Sequence, residues 1–487
     1  MKTAATIVVV AAMVVSESPA RAQTAGVLTL TQAVEEALVR NDRLVNQHDT
    51  TVQADLGLRL ARSEFSPKIT PNILGSFGQT DVSSQTYRVD VSQRFVTGTE
   101  LRLGAGAASA QIPGLAGVSG DDIRFYNTDT TLTLSQPLLR GFGRGAARRS
   151  LTSAEFRRTD AVRAQTLTEQ QVAIEVAVAY YRVVAQDAFV DVAKQSLERS
   201  RKLRDASEAK LDAGLVSQLD VLRAQQLVAQ AELQYFDAQS ATEDARDQLR
   251  FLIGRDRSVA LDVERAIPQP DATPIEPDAA IALALDRRLD LRSRTEQAAD
   301  AERQLRFSSN QLLPQVDVNL ALTRRETSKA LSRSFGLDGF QFATFFTIAM
   351  PADRTVAQVA YQTALLDRDR RRRELSTLGR QVADDVRRGL RERDRAVRSV
   401  TAAETSVEIG RREVEVAQLR YERGLSNNLD LVTAEAGLLA VETRRIQVLA
   451  EAALIRLRLR ALIGIFDPRA DVAGSAILET AAPRAQP

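Results

Sequence analysis

One nine-residue phrase occurs twice in this chain. Residues 214–222 read GLVSQLDVL and residues 424–432 read GLSNNLDLV. Gly214 pairs with Gly424, Leu215 with Leu425, Leu219 with Leu429, Asp220 with Asp430 and Ala224 with Ala434, all at an offset of 210 that still holds at Gly254 and Gly464. Each copy lies deep inside a run without proline, residues 138–267 and 352–467. Proline stops a helix because it lacks an N–H and clashes with the preceding turn. Each run is therefore free to be helical on both sides of its central glycine. Two long rods, each broken by a glycine turn, confine the chain to a tandem-repeat architecture.

The rods are too long for a compact domain. Residues 148–213 carry Val172, Val176, Ala179, Val183, Val190, Ala193, Leu197 and Leu211 at coiled-coil spacing, with polar lapses at Gln186, Ser200, Arg204 and Ser207. Those residues would make a rod of roughly 100 Å at 1.5 Å per residue. Residues 355–423 match them, and shorter helices return after each glycine, 217–252 and 427–463. Such rods must pack against others, in this chain or in neighbouring copies.

Ahead of each rod stands a helix and then a set of strands. Residues 28–60 place Ala33, Val34, Ala37 and Leu38 on one stripe, and Ala280, Ile281, Ala284 and Leu285 repeat it at an offset of 247. Both are expected to be continuous helices of some 35 residues that stop at Pro67 and Pro314. Beyond each proline the apolar period falls to two, as in Tyr87, Val89, Val91 and again in Val316, Val318, Leu320, Leu322, which predicts strands within 68–136 and 315–349. The drop in offset from 247 to 210 leaves the first copy 37 residues longer. A hairpin over residues 87–107 would account for much of that, either within a sheet or capping a loop.

Composition narrows the chemistry. The chain has 487 residues, a net charge of +2, no cysteine and one histidine, His48. Disulfides, thiolate metal sites and a cysteine nucleophile are excluded; zinc sites built on several histidines are too. The balance gives no support for nucleic-acid binding. No metal site, cofactor site or catalytic constellation is found, and no enzyme is expected. Lys2, the apolar residues 4–15 and the Ala20-Arg21-Ala22 motif predict an export leader cleaved after Ala22, as against a buried first helix. No later stretch of about 20 apolar residues exists, so no transmembrane helix is expected.

The predicted plan is a leader at 1–22, a first repeat at 23–267, a proline-rich linker at 268–277, a second repeat at 278–467 and a disordered tail at 468–487. A leader, two copies of helix–strand–strand–long helix–turn–helix, and the G-L-x-x-x-L-D turn resemble the TolC family of outer-membrane efflux channels over residues 27–467. The resemblance implies a mainly α homotrimer, in which a long coiled-coil α-barrel crosses the periplasm and a shared transmembrane β-barrel sits in outer-membrane lipid. It implies a passive exit channel of a tripartite efflux or type I secretion system, with a periplasmic adaptor and an inner-membrane pump docked at the helix turns. Independently, four to six strands per chain, taken three times, fall within the known range for membrane barrels. The aromatics Phe77, Tyr87, Phe95, Phe125, Tyr126, Phe335, Phe340, Phe342, Phe345 and Phe346 would form its girdles or else an ordinary sheet core.

By the same resemblance, Asp220 and Asp430 match the acidic positions that ring the periplasmic entrance, and Tyr421 matches a tyrosine that holds it shut. Read from the residues alone, the two aspartates would instead cap the returning helices. Gly214 and Gly424 end the rods in left-handed turns, and Leu215 and Leu425 either dock an adaptor or fold back on their own helix. The chain departs from the family at Ser426, where an arginine would link to the other copy's aspartate, and at Thr433, where a second aspartate would stand. Closure is thus expected to rest on other contacts. The basic run at residues 368–373 reads as a solvated helix face, or as a site for phosphate or lipid head groups. Arg140, Arg144, Arg148 and Arg149 follow the strands directly, at the level of inner-leaflet head groups. The alternative for the whole chain is a periplasmic coiled-coil adaptor with a small β domain.

Overall fold

The structure, a computed structural model, describes residues 27–75, 83–112, 123–270, 273–328 and 338–471. The predicted leader and most of the predicted tail lie outside these residues, as do Phe77, Phe335 and the side chain of Phe125.

The elements run α1 (Leu30–Arg40), α2 (Asp42–Ser63), β1 (Lys68–Gly75), β2 (Ser83–Arg94), β3 (Glu100–Ile112), β4 (Ile123–Pro137), α3 (Arg144–Ala147), α4 (Arg149–Asp212) and α5 (Gln218–Ile253). The second repeat supplies α6 (Pro277–Arg287), α7 (Leu289–Asn310), β5 (Gln315–Ser328), β6 (Gln341–Ala349), α8 (Thr355–Glu422) and α9 (Asn428–Ile463). The 64 residues of α4 and the 68 of α8 make rods of about 96 and 102 Å.

The two opening helices are not continuous. Asn41 (φ −70°, ψ 121°) separates α1 from α2, and Arg288 (φ −61°, ψ 122°) separates α6 from α7. Asn41 accepts from the Arg43 N–H, which caps α2, and its Nδ2 donates to the Leu252 carbonyl at 2.9 Å. The break therefore satisfies a carbonyl at the end of α5. In the second copy Gly464, which ends α9, backs so closely onto the other break that a Cβ there would lie 2.8 Å from the Arg288 nitrogen. The interruption is where the returning helix seats, a tertiary demand that local periodicity does not carry.

α4 is the central rod. Val172, Val176, Ala179 and Val183 meet Ala33, Val34 and Ala37 of α1, Leu249 and Ile253 of α5 and Leu457 of α9 in the main core. Two of the polar lapses, Ser200 and Ser207, are buried seam positions. The Tyr180 hydroxyl donates to the carbonyl of Glu264 at 3.0 Å and lies 3.2 Å from that of Leu28, beside the Leu28–Val263 bridge. Burial pushes this hydroxyl up to about 12, so it stays a donor at any physiological pH. A second cluster joins α6, α8 and α9 through Ala284, Val382, Val386 and Leu459. Next to the strands, α2 packs on α4, α4 on α7 and α7 on α8; towards the glycine turns the order is α5, α4, α9, α8.

All strands enter one antiparallel sheet in the order β1-β2-β3-β4-β5-β6, so the extra hairpin of the first repeat is β2–β3 and lies inside the sheet. Its two faces differ except towards the end away from the helices, where Thr128, Thr130, Arg324 and Glu326 fall on the otherwise apolar face. One carries Ile69, Ile73, Tyr87, Val89, Leu103, Leu132, Leu134, Val318, Leu320, Leu322, Phe342, Phe346 and Ile348 in register. The other carries Arg88, Asp90, Arg102, Asp129, Thr131, Thr133, Asn319 and Thr323. On that face Arg88 bonds Asp90 at 2.9 Å and Asp129 at 2.8 Å. A Cβ at Gly104 would lie 2.5 Å from the Arg88 guanidinium, so the glycine makes room for this cluster. Of the aromatics, Tyr87, Tyr126, Phe342 and Phe346 share the apolar face and Phe345 the polar one. Among the described residues no core covers the two edge strands: β1 and β6 are exposed at every residue. The chain exposes 30857 Å², against about 17,800 Å² for a compact monomer of its mass. Among the described residues no helix is long and apolar enough to cross a membrane.

The predicted tail begins too early. Residues 468–471 are ordered, and Asp471 is a buried partner of Arg460 at 2.6 Å.

Candidate functional site at the helix tips

The repeated phrase forms two tips, side by side at the ends of α4 and α8. At the first, the Gly214 N–H donates to the Leu211 carbonyl at 2.8 Å and the Leu215 N–H to Lys210, also at 2.8 Å. At the second, Gly424 donates to Tyr421 and Leu425 to Arg420 in the same pattern. These paired bonds close a helix end only if the residue after the cap is left-handed, and Gly214 (φ 72°) and Gly424 (φ 71°) supply that. Leu215 and Leu425 are 74% and 66% exposed, so neither folds back on its own helix.

The two aspartates diverge. Asp220 is buried, and its Oδ2 accepts from the Ser217 N–H at 3.1 Å and the Ser217 hydroxyl at 2.7 Å. It is the third-position acid that closes a capping box on α5. In the second copy Asn427 stands at the cap and accepts from the Leu429 N–H at 3.1 Å. That leaves Asp430 exposed in the first turn of α9. Serine against asparagine at one position decides which acid is committed and which faces solvent. Thr433 bonds the Leu429 carbonyl of its own helix.

Tyr421 is buried, 3% exposed, among Leu203, Ala224, Val414, Leu431 and Leu438. Its hydroxyl shares a 2.9 Å hydrogen bond with Ser207 of α4. Lys210 Nζ lies 3.8 Å above its ring centroid and donates to its carbonyl at 2.6 Å. One ammonium thus engages both a π face and a helix-end carbonyl at the negative pole of α8. Across the tips Asn428, fully buried, donates from Nδ2 to the Asp220 carbonyl at 2.5 Å. Ser207, Lys210 and Asn428 were not legible as site residues. Ser207 showed as a break in the apolar seam, while nothing about Lys210 or Asn428 set them apart from surface residues.

The other sequence candidates lie elsewhere. His48 is exposed on α2. The basic run is matched by acids, with Arg368 on Asp369, Arg371 on Glu374 and Arg372 on Glu302.

A family model described as outer membrane efflux protein matches residues 33–255, which is most of the first repeat. The fusaric acid resistance protein FusA of Burkholderia cepacia is 33% identical over 171 residues, 34% of this chain and 32% of that protein, so the match spans about a third of that relative. The toluene efflux pump outer membrane protein TtgF of Pseudomonas putida is 24% identical over 383 residues, 75% of each chain. Among solved structures, the outer-membrane channel OprN superposes with a TM-score of 0.69 at 19% identity over 89% of both chains. The outer membrane protein VceC of Vibrio cholerae gives 0.67 at 16% identity, covering 89% of this chain and 96% of that one.

Proposed function

Because this chain belongs to the outer membrane efflux protein family, we propose that it is the outer-membrane exit channel of a tripartite efflux system, a passive duct from the periplasm to the exterior. The observation that carries this reading is the sheet. It has one apolar face, one polar face and two open edges, and it runs straight into rods about 100 Å long. Apolar outside and polar inside is what a membrane barrel requires, and open edges demand a partner.

Register supports closure by copies of the same chain. The hydrogen-bonded row that starts at Lys68 passes through Ser92, Arg102, Thr133 and Ala321 to Ala343, six residues short of the end of β6 at Ala349. β1 and β6 run in opposite directions, so β6 of one copy can pair antiparallel with β1 of the next. If Ala349 meets Lys68 of the neighbour, each copy adds a stagger of six to its six strands. A shear equal to the strand number gives a tilt of about 36°, inside the range for outer-membrane barrels. Three copies make about eighteen strands and a backbone diameter of about 34 Å at a spacing of ~4.8 Å, wide enough for an aqueous channel. A periplasmic adaptor would leave both sheet faces and both edges uncovered.

The exposed Leu215 and Leu425 offer apolar contacts to an adaptor at the tips, with the pump beyond. Asp430 supplies the acidic entrance, three copies of one exposed carboxylate, where a ring attracts cations. Asp430→Asn is expected to weaken block by multivalent cations in planar bilayers several-fold, while Asp220→Asn leaves block near the native level because its carboxylate is committed to the cap. Equal effects from the two changes would return both aspartates to one ring.

The channel reading itself is tested by membrane fractionation and the mass of the detergent-extracted particle, with a paired Lys68→Cys and Ala349→Cys variant. The chain has no cysteine of its own, so oxidation should yield a covalent trimer without background. A soluble monomer would sink the channel reading. An outer-membrane trimer that fails to cross-link would sink only the register.

A further inference from the structure

A cavity of about 390 Å³ opens between the start of α4 and the end of α7, lined in part by Phe142, Arg149, Arg303, Arg306, Phe307 and Asn310. It lies directly beneath the sheet. Leu138 continues β4, its N–H donating to the Val316 carbonyl at 2.7 Å. Three residues on, the Gly141 N–H donates to Asn310 Oδ1 at 2.8 Å, which ties the loop to α7 just ahead of β5.

The lining sets three arginines beside two phenylalanine rings. Arg149 lays its guanidinium 3.7 Å over the Phe307 ring, and one of its nitrogens donates to Gln304 at 3.0 Å. Arg303 is paired with Asp300 at 3.0 Å. Among the described residues neither Arg149 nor Arg306 has a carboxylate within ion-pair distance. Three guanidiniums against one carboxylate leave the cavity with a net charge of about +2. Phe142, Leu138 and Leu139 stand exposed on the loop above it, where the apolar face of the sheet begins.

We propose that this cavity binds the phosphate head group of an anionic glycerophospholipid from the periplasmic leaflet, an inference that rests on the outer-membrane reading. Guanidinium groups match phosphate oxygens in paired hydrogen bonds. A stacked arginine is already oriented, so it loses less freedom on binding. The acyl chains then rise past Phe142 and Leu138 along the apolar face, which no free phosphate would use. The arginines and the apolar residues above them are thereby explained by one amphipathic ligand.

The test is native mass spectrometry of the detergent-extracted full-length trimer with added phosphatidylglycerol, comparing the native protein, Arg306→Gln alone and Arg149→Gln with Arg306→Gln. The native trimer should retain up to three lipids, and the double variant should need at least tenfold more lipid for the same occupancy. Arg306 is exposed, so Arg306→Gln should lower occupancy while the trimer and its unfolding temperature stay intact. Equal retention by native and double-variant trimers overturns the proposal, as does displacement of the lipid by millimolar inorganic phosphate, which would mark a simple anion site. Failure to obtain a membrane-derived trimer at all counts against the channel reading instead.

Discussion

Replacing Asp471 by alanine should destabilise the extracted protein by about 3–5 kcal/mol, the range for breaking a buried ion pair by removing one partner. The partner is Arg460 in the last turns of α9, and both side chains are 1% exposed. Arg460 Nε donates to Oδ2 at 2.8 Å, and Nη2 stands 2.6 Å from Oδ1 as an ion-pair contact. The Asp467 N–H adds a second hydrogen bond to Oδ2 at 2.8 Å. Asp471→Ala removes this counter-charge from a guanidinium sealed in the core. The double replacement Arg460→Met with Asp471→Leu should recover most of the loss, since a well-packed apolar pair of similar volume is often no worse than a buried ion pair. Thermal unfolding of these three proteins checks it. An unchanged midpoint for Asp471→Ala would show that the pair contributes nothing, and an equal loss in the double replacement would show that packing, not charge, is what fails.

That pair also shows where the sequence stops being informative. A tail from residue 468 rich in alanine and proline predicts disorder. One aspartate within it is the counter-charge for an arginine eleven residues earlier, and composition cannot reveal a single long-range partner. The breaks at Asn41 and Arg288 escaped for a similar reason. The apolar stripe passes through both positions, and only the docking of Leu252 and Gly464 requires the chain to open there. By contrast the rods, the glycine turns and the strands were legible, because period and punctuation are local. The alternation in β2, β4 and β5 predicted two-faced strands. It said nothing of the order in which they pair, and so left the β2–β3 hairpin unplaced. At the tips, the repeat drew attention to Asp220 and Asp430 as equals. The residue three positions earlier, Ser217 against Asn427, makes them unequal. Spacing identifies candidates; neighbouring hydrogen bonds decide which of them are available.

Lys210→Met is expected to raise the open fraction of the entrance about ten- to hundredfold, and Tyr421→Phe to do so by a smaller factor. In the absence of the family's arginine link, the polar contacts that join α8 to α4 at the tips, among the described residues, are those of Tyr421. Lys210 makes two of them, the 2.6 Å bond to the Tyr421 carbonyl and the contact with its ring. A hydrogen bond from a charged donor is worth about 1.5–3 kcal/mol, and each 1.4 kcal/mol is a factor of about ten in a two-state ratio. Methionine keeps the length and the apolar stem of lysine, so packing against the ring survives while the charge is lost. Tyr421→Phe removes only the bond to Ser207, worth roughly 0.5–1.5 kcal/mol. Ser207→Ala in the same chain should give back part of that cost, because a buried hydroxyl is then no longer left without its partner. Single-channel conductance in planar bilayers reads these differences directly. If Lys210→Met conducts like the native protein while Asp430→Asn still alters cation block, the tip contacts are structural and the gate lies with the exposed acids alone. If Lys210→Met opens the channel and leaves cation block unchanged, latch and acidic ring are separate devices on the same two turns, one within each protomer and one shared among three.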